Sequence, residues 1–128
     1  MSASALLESL KGTLDWEWDD RFEGILATFD SSEAEVMSGL LGEHLGHRWD
    51  SESAANAPEL VAQALQSVGG VAPGQLVFSS DPGQTLVMLG LWWPWNNGST
   101  ISIRLLPLAA ESNASELQSA YELLRTYC

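Results

Sequence analysis

Positive charge is scarce in this chain. Lys and Arg together number 5 among 128 residues, against 17 Asp and Glu, for a formal net charge of −12 at pH 7. A protein that follows a phosphate backbone needs a cationic groove. Five dispersed cations do not make one, so no nucleic-acid partner is expected. Cysteine is nearly missing too: the single one, Cys128, is the last residue. No internal disulfide can form, which suits a reducing compartment and a cytoplasmic localisation. The end Arg125-Thr126-Tyr127-Cys128 lacks a prenylation pattern. No apolar run approaches the roughly 18 residues of a membrane span, and no basic segment leads into an apolar one as a secretory signal would. No membrane partner is therefore expected.

The charged fraction, 17%, is low against the usual quarter, while the hydrophobic fraction is 45%. The negative balance thus comes from missing cations, and apolar residues recur often enough to exclude disorder. The length fits one domain, 1–128, with one core. Charge is lopsided along the chain. Residues 1–59 hold 13 carboxylates and 3 cations, and residues 60–128 hold 4 and 2. A field of one sign selects partners and speeds their encounter.

Apolar spacing predicts the elements. Leu6, Leu7 and Leu10 read as a helix over 3–12. Leu14, Trp16 and Trp18 alternate with Asp15, Glu17 and Asp19, a strand with one apolar and one acidic face. Phe22, Ile25, Leu26 and Phe29 have helical spacing, yet Gly24 weakens a helix, so residues 20–29 read as either helix or strand. Asp30-Ser31-Ser32-Glu33 has the form of a capping box opening a helix over 31–45, with Val36, Met37, Leu40, Leu41 and Leu45 as its core stripe. A helix over 57–68 follows, with Asn56 as cap, Pro58 in the first turn, and Leu60, Val61, Ala64, Leu65 and Val68 inward. Ser51–Asn56 reads as an exposed loop.

The second half reads as strands. Segments 75–80, 84–93 and 99–106 form an antiparallel meander, with Asn96-Asn97-Gly98 as a hairpin turn and Pro94 ending the pairing. The segment 84–93 is apolar on both parities and belongs at the centre, covered on two sides. A last helix spans 114–127, with Leu117, Ala120, Tyr121 and Leu124 inward. This order predicts an α+β single domain.

Reactive clusters are few. Glu43-His44-x-x-His47-Arg48-x-Asp50 brings the two histidines near one another, but the spacing departs from the His-Glu-x-x-His zinc pattern and Gly46 separates the rings. No metal, cofactor or catalytic residue is assigned. Asp15, Glu17, Asp19 and Asp20 crowd together without the glycine and terminal Glu of a Ca²⁺ loop; a solvated acidic face accounts for them. There is no Gly-x-Ser-x-Gly elbow and no phosphate loop. Cys128 has only Arg125 nearby to activate it. Six tryptophans are many for this length. Trp92 and Trp93 must point to opposite faces of a strand, and an exposed Trp beside carboxylates suits a protein interface.

The leading expectation is a small acidic module that binds a basic protein and neutralises or escorts it. By size, charge and class alone this fits a bacterial immunity protein or a secretion chaperone. Its contact residues would be Asp15, Glu17, Trp18, Asp19, Asp20, Glu33, Glu35, Trp49 and Trp95. The alternative is a small-molecule or enzymatic α+β domain, with a pocket lined by Trp92, Trp93 and Tyr121 and served by His44 or His47. A DNA mimic is a third reading, and would need carboxylates spaced like phosphates on one face. If the 99–106 strand is a sheet edge, it must be covered, charged or paired, and a homodimer through that edge or through an exposed Trp is the expectation.

Overall fold

Apolar residues on both parities of one strand demand cover on two sides, and the fold supplies it. In a computed structural model, which describes residues 8, 14–110 and 113–128, six strands form one antiparallel sheet. They are β1 (Glu17–Asp19), β2 (Gly24–Asp30), β3 (His47–Trp49), β4 (Leu76–Ser79), β5 (Leu86–Pro94) and β6 (Thr100–Ala109). The spatial order is β1-β2-β6-β5-β4-β3, so β6 and β5 are central and the three-residue β1 and β3 are the edges. Three α-helices pack on the sheet among the described residues: α1 (Ala34–His44), α2 (Glu59–Ser67) and α3 (Ala114–Arg125). The chain is an α+β domain, as its pattern predicts. The helix read over 3–12 lies outside the described residues apart from Glu8.

Strand alternation sorts the side chains. One face carries Ile25, Ala27 and Phe29 of β2, Ile101, Ile103 and Leu105 of β6, Met88 and Trp92 of β5, and Phe78 of β4. The rings of Phe29 and Phe78 meet Trp92 edge-on at 5.4 and 6.3 Å. Met37 and Leu41 of α1 and Leu124 of α3 close over them. Trp16 joins this core, its indole N–H buried without a partner among the described residues. The opposite face carries Val77, Leu89, Leu91 and Leu106, covered by Val61 and Leu65 of α2. Each such fully buried side chain contributes roughly 1.5–3 kcal/mol of transfer free energy.

Hydrogen-bond parity explains where β2 begins. The Trp95 N–H donates to the Thr100 carbonyl and the Ser31 N–H to the Ser99 carbonyl, both at 2.8 Å. Even residues of β6 therefore bond β5 and odd residues bond β2. Pro107, odd, has no N–H to give, so the ladder cannot extend to its opposite position, Glu23. There the chain turns instead, with Glu23 at φ 53°. Next to it, Gly24 lies so close to β6 that a Cβ would run into the Leu105 carbonyl oxygen and come within 2.9 Å of Leu106 Cβ.

Several expectations are corrected. Of the two readings open for residues 20–29, residues 24–30 take the strand, because alternation buries Ile25, Ala27 and Phe29 together. The apolar strand 100–109 is longer than expected and is no edge: β2 and β5 flank it, so a dimer through it is ruled out. Besides α1, the acidic first half supplies β1, β2 and the short, unexpected β3. Val36 faces outward, 60% exposed. The helix over 31–45 opens as a 3-10 turn, Ser31–Glu33, with Asp30 Oδ1 accepting from the Ser32 N–H at 2.8 Å. No side chain caps α2, which starts after Pro58. The loop before α2 contains a 3-10 turn, Ala54–Asn56, and Asp50 pins its entry. Pro94 closes β5, yet the hairpin bonds continue through Trp95 to the turn at Gly98, whose φ is 74°.

Candidate functional site

α2 covers only half of its face of the sheet. Along β6 the residues on that face run Thr100, Ser102, Arg104, Leu106. The leucine meets α2's apolar cluster, and the three polar residues lie beyond it. Strand register sets out the uncovered half in rows. Trp95, Thr100 and Asp30 form one; Trp93, Thr28 and the buried Ser102 between them the next; Arg104, Leu26 and Glu17 the third, bounded by Leu91 under α2. Asp15 falls beside Thr28 by continuing the alternation of β1. Asp15, Glu17, Thr28 and Asp30 are exposed, and Trp95 is 50% exposed. The Ser32 backbone N–H holds the Asp30 carboxyl below the usual carboxylate range, which keeps it charged.

The hairpin tip is pinned to this corner. Ser31 donates from its N–H to the Ser99 carbonyl (2.8 Å) and from its hydroxyl to the Gly98 carbonyl (3.2 Å). Glu33 and Glu35, both exposed, follow Ser31 into α1. Trp95 and Asp30 therefore share one end of the sheet, with Glu33 just beyond Ser31, whereas Glu35 lines the hollow beside Arg48 on the α1 side.

The other expected contact residues do not join them. Asp19 is not on a solvated face. Its Oδ2 accepts from Arg104 Nε at 2.9 Å, with the two side chains 13% and 17% exposed. Its Oδ1 accepts from the Arg21 N–H at 3.0 Å. Trp18 faces the α1–α3 side. Its ring meets Tyr121 edge-on, Arg125 lies over it at 4.1 Å, and its N–H donates to Asp20 at 2.9 Å. Trp49 sits on β3, five strand spacings from β1, or about 24 Å. Its ring is half-buried and stacks on exposed His47 at 6.2 Å. Of the three proposed anchors, Trp95 alone is exposed; Trp18 and Trp49 are half-buried.

The pocket imagined for a small-molecule enzyme does not form as drawn. Trp92 is buried in the α1–α3 core, whereas Trp93 lies on the opposite face. Tyr121 lines a separate groove of about 630 Å³ between α2 and α3, where its hydroxyl donates to Glu23 at 3.1 Å. Burial, and then that carboxylate, push the Tyr121 hydroxyl's pKa up. Neither histidine lines this groove or the 330 Å³ hollow beside Arg48. Among the described residues no three His, Cys, Asp or Glu side chains converge to hold a metal. No described helix is long and apolar enough to cross a membrane. Cys128 is exposed, but partial burial of its thiol raises its pKa more than Arg125 lowers it, which disfavours the thiolate.

Asp30, Thr28, Thr100 and Ser102 were not singled out from sequence. The signal for them was present as the polar parity of 24–30 and 99–106. Asp30 was read only as a helix cap, which it also is. No protein-family model, curated protein or solved structure matches the chain.

Proposed function

We propose that the protein is a small acidic binding module that holds a basic protein partner against the open half of its sheet. The observation that carries this reading is the uncovered surface itself. Exposed Asp15, Glu17 and Asp30 stand on it with Trp95 at its end, and Arg104, its cation, is already tied to Asp19. Carboxylates at a rim steer a cationic surface in, and a Trp supplies apolar contact area. The flat strip spans about three strand gaps by four residues, roughly 200 Å². That is well short of the roughly 800 Å² per partner of a stable interface. The partner must therefore also wrap the hairpin tip and the start of α1, where Glu33, Glu35 and Val36 are exposed. Neutralising a toxin and escorting a secreted protein both fit such a contact.

The test is retention of a native partner at low and high salt by three proteins: the unaltered chain, Asp15→Lys/Glu17→Lys/Asp30→Lys, and a control with equal charge change, Glu52→Lys/Glu59→Lys/Glu122→Lys. The reading expects salt-sensitive retention that the control keeps and the site variant loses. Equal loss in both variants would mean that net charge alone acts and would sink the assignment of this face.

A further inference from the structure

Beside the open strip lies a cavity of about 300 Å³ with the opposite electrostatic character. The chain has 17 carboxylates and 5 cations, yet the cavity is lined by Arg21 and Arg104 and by no carboxylate. Its walls come from the β1–β2 turn (Arg21, Phe22), from β5 and β6 (Trp93, Arg104), and from the α2–β4 connection (Val68 to Gln75).

The donors are held in place from behind. Asp19 takes the Arg104 Nε and the Arg21 backbone N–H, leaving the outer nitrogens of both guanidinium groups uncommitted among the described residues. Phe22 and Trp93 flank Arg104, each with its ring centroid 4.7 Å from the guanidinium carbon, so that side chain is ordered without being used up. Arg21, exposed, makes no ion pair among the described residues and rests 5.1 Å from the Phe22 centroid. Gln75 Oε1 accepts from the Ala72 N–H at 2.8 Å, so its amide is oriented and its NH₂ remains a donor. Gly69 and Gly70, at φ +92° and +85°, carry the chain past the cavity, and a Cβ at either would meet nothing within 4 Å. The space beside them is open.

Two planar guanidinium groups, a fixed amide donor and aromatic edges suit one ligand chemistry. A carboxylate accepts two parallel N–H bonds from a guanidinium, and a flat apolar body packs on aromatic walls. We infer that this cavity binds a small organic carboxylate with a flat apolar body, held by Arg21, Arg104 and Gln75. The negative field of the remaining surface opposes the ligand, but at physiological salt it is screened beyond about 8 Å, whereas the arginines act at contact. The cavity shares Trp93 and Arg104 with the open half of the sheet but uses none of the carboxylates, nor Trp95, on which the protein-binding reading rests, so Arg21→Gln tests the cavity and Asp15, Glu17 and Asp30 test the face separately.

Benzoate is the probe, titrated into the full chain while the Trp93 indole N–H resonance is followed by NMR. We expect saturable binding in the roughly millimolar range for a ligand this small. Benzamide, the neutral isostere, should bind at least about tenfold more weakly, the loss expected from one charge-assisted contact. Arg21→Gln, at an exposed position, should weaken benzoate without moving the unfolding midpoint, and Gln75→Glu, which keeps an acceptor for the Ala72 N–H but removes the amide donor, should weaken it too. They keep the test decisive if Arg104→Lys fails to fold. Absence of saturation, equal binding of benzamide, or unaltered benzoate binding by Arg21→Gln would overturn the site. Tighter binding of inorganic phosphate than of benzoate would overturn the carboxylate assignment.

Discussion

Strand β6 passes through two environments on one face of the sheet. Where α2 lies over it, the side chain is Leu106; beyond α2 the residues are Thr100, Ser102 and Arg104, with Ser102 buried beside Trp93 and Arg104 held between Phe22 and Trp93. On the other face the same strand is apolar at Ile101, Ile103 and Leu105, under α1 and α3. One strand thus records which parts of its surface are covered. A half-covered sheet face is a choice available to evolution, since a longer α2 and leucines at 100, 102 and 104 would close it. Instead the uncovered half carries hydroxyls, carboxylates and a Trp, with its one cation neutralised by Asp19.

The contrast can be broken from the covered side first. Leu65→Ala should cost about 3 kcal/mol, the usual loss for a buried leucine that leaves a cavity, measured by denaturant unfolding. Leu65 is 4% exposed and joins α2 to the sheet. At the boundary, Arg104→Ala should cost about 2 kcal/mol, because it strands the largely buried Asp19 carboxylate. Adding Asp19→Asn to that variant should recover part of the loss, and a double-mutant cycle checks it.

A smaller effect is expected on the covered side's loop. The Ser53 backbone N–H and hydroxyl, with the Glu52 N–H, hold the Asp50 carboxyl below its ordinary value. Its folded pKa is depressed, so its stabilising contribution is complete above the unfolded value of about 3.9 and fades as pH falls through the lower folded one. Asp50→Asn should therefore lower the unfolding midpoint slightly near neutrality and flatten the acid limb below about pH 4, so that the two curves converge at low pH. Smallest of all, Asp15→Asn/Glu17→Gln/Asp30→Asn should leave the unfolding midpoint nearly unchanged, as surface changes do. A large destabilisation in that triple variant would mean that these carboxylates serve the fold.

Much of the fold was legible because periodicity reports burial. The two-sided apolar run at 85–93 announced a central strand, and Ile101, Ile103 and Leu105 announced its neighbour. What misled was residue spacing that satisfies two periods at once. Phe22, Ile25, Leu26 and Phe29 match a helix, but only tertiary contact with Leu105 shows that Gly24 serves close strand packing. The acidic strip was half legible: alternation placed Asp15 and Glu17 correctly on a face but could not reveal that Asp19, on the same parity, meets Arg104 from a strand 85 residues away. Trp18 and Trp49 failed as free anchors for a similar reason, since their ring partners come from α3 and from β3's own stacking.

The most direct measurement is an NMR titration of the isotope-labelled protein with a short oligolysine peptide at low salt. The account predicts that shifts concentrate at Asp15, Glu17, Thr28, Asp30, Trp95 and Thr100, fade with added salt, and leave the segment from Glu52 to Ser67 unmoved. Shifts of equal size around Glu52 and Glu59, or spread evenly over the acidic surface, would contradict it.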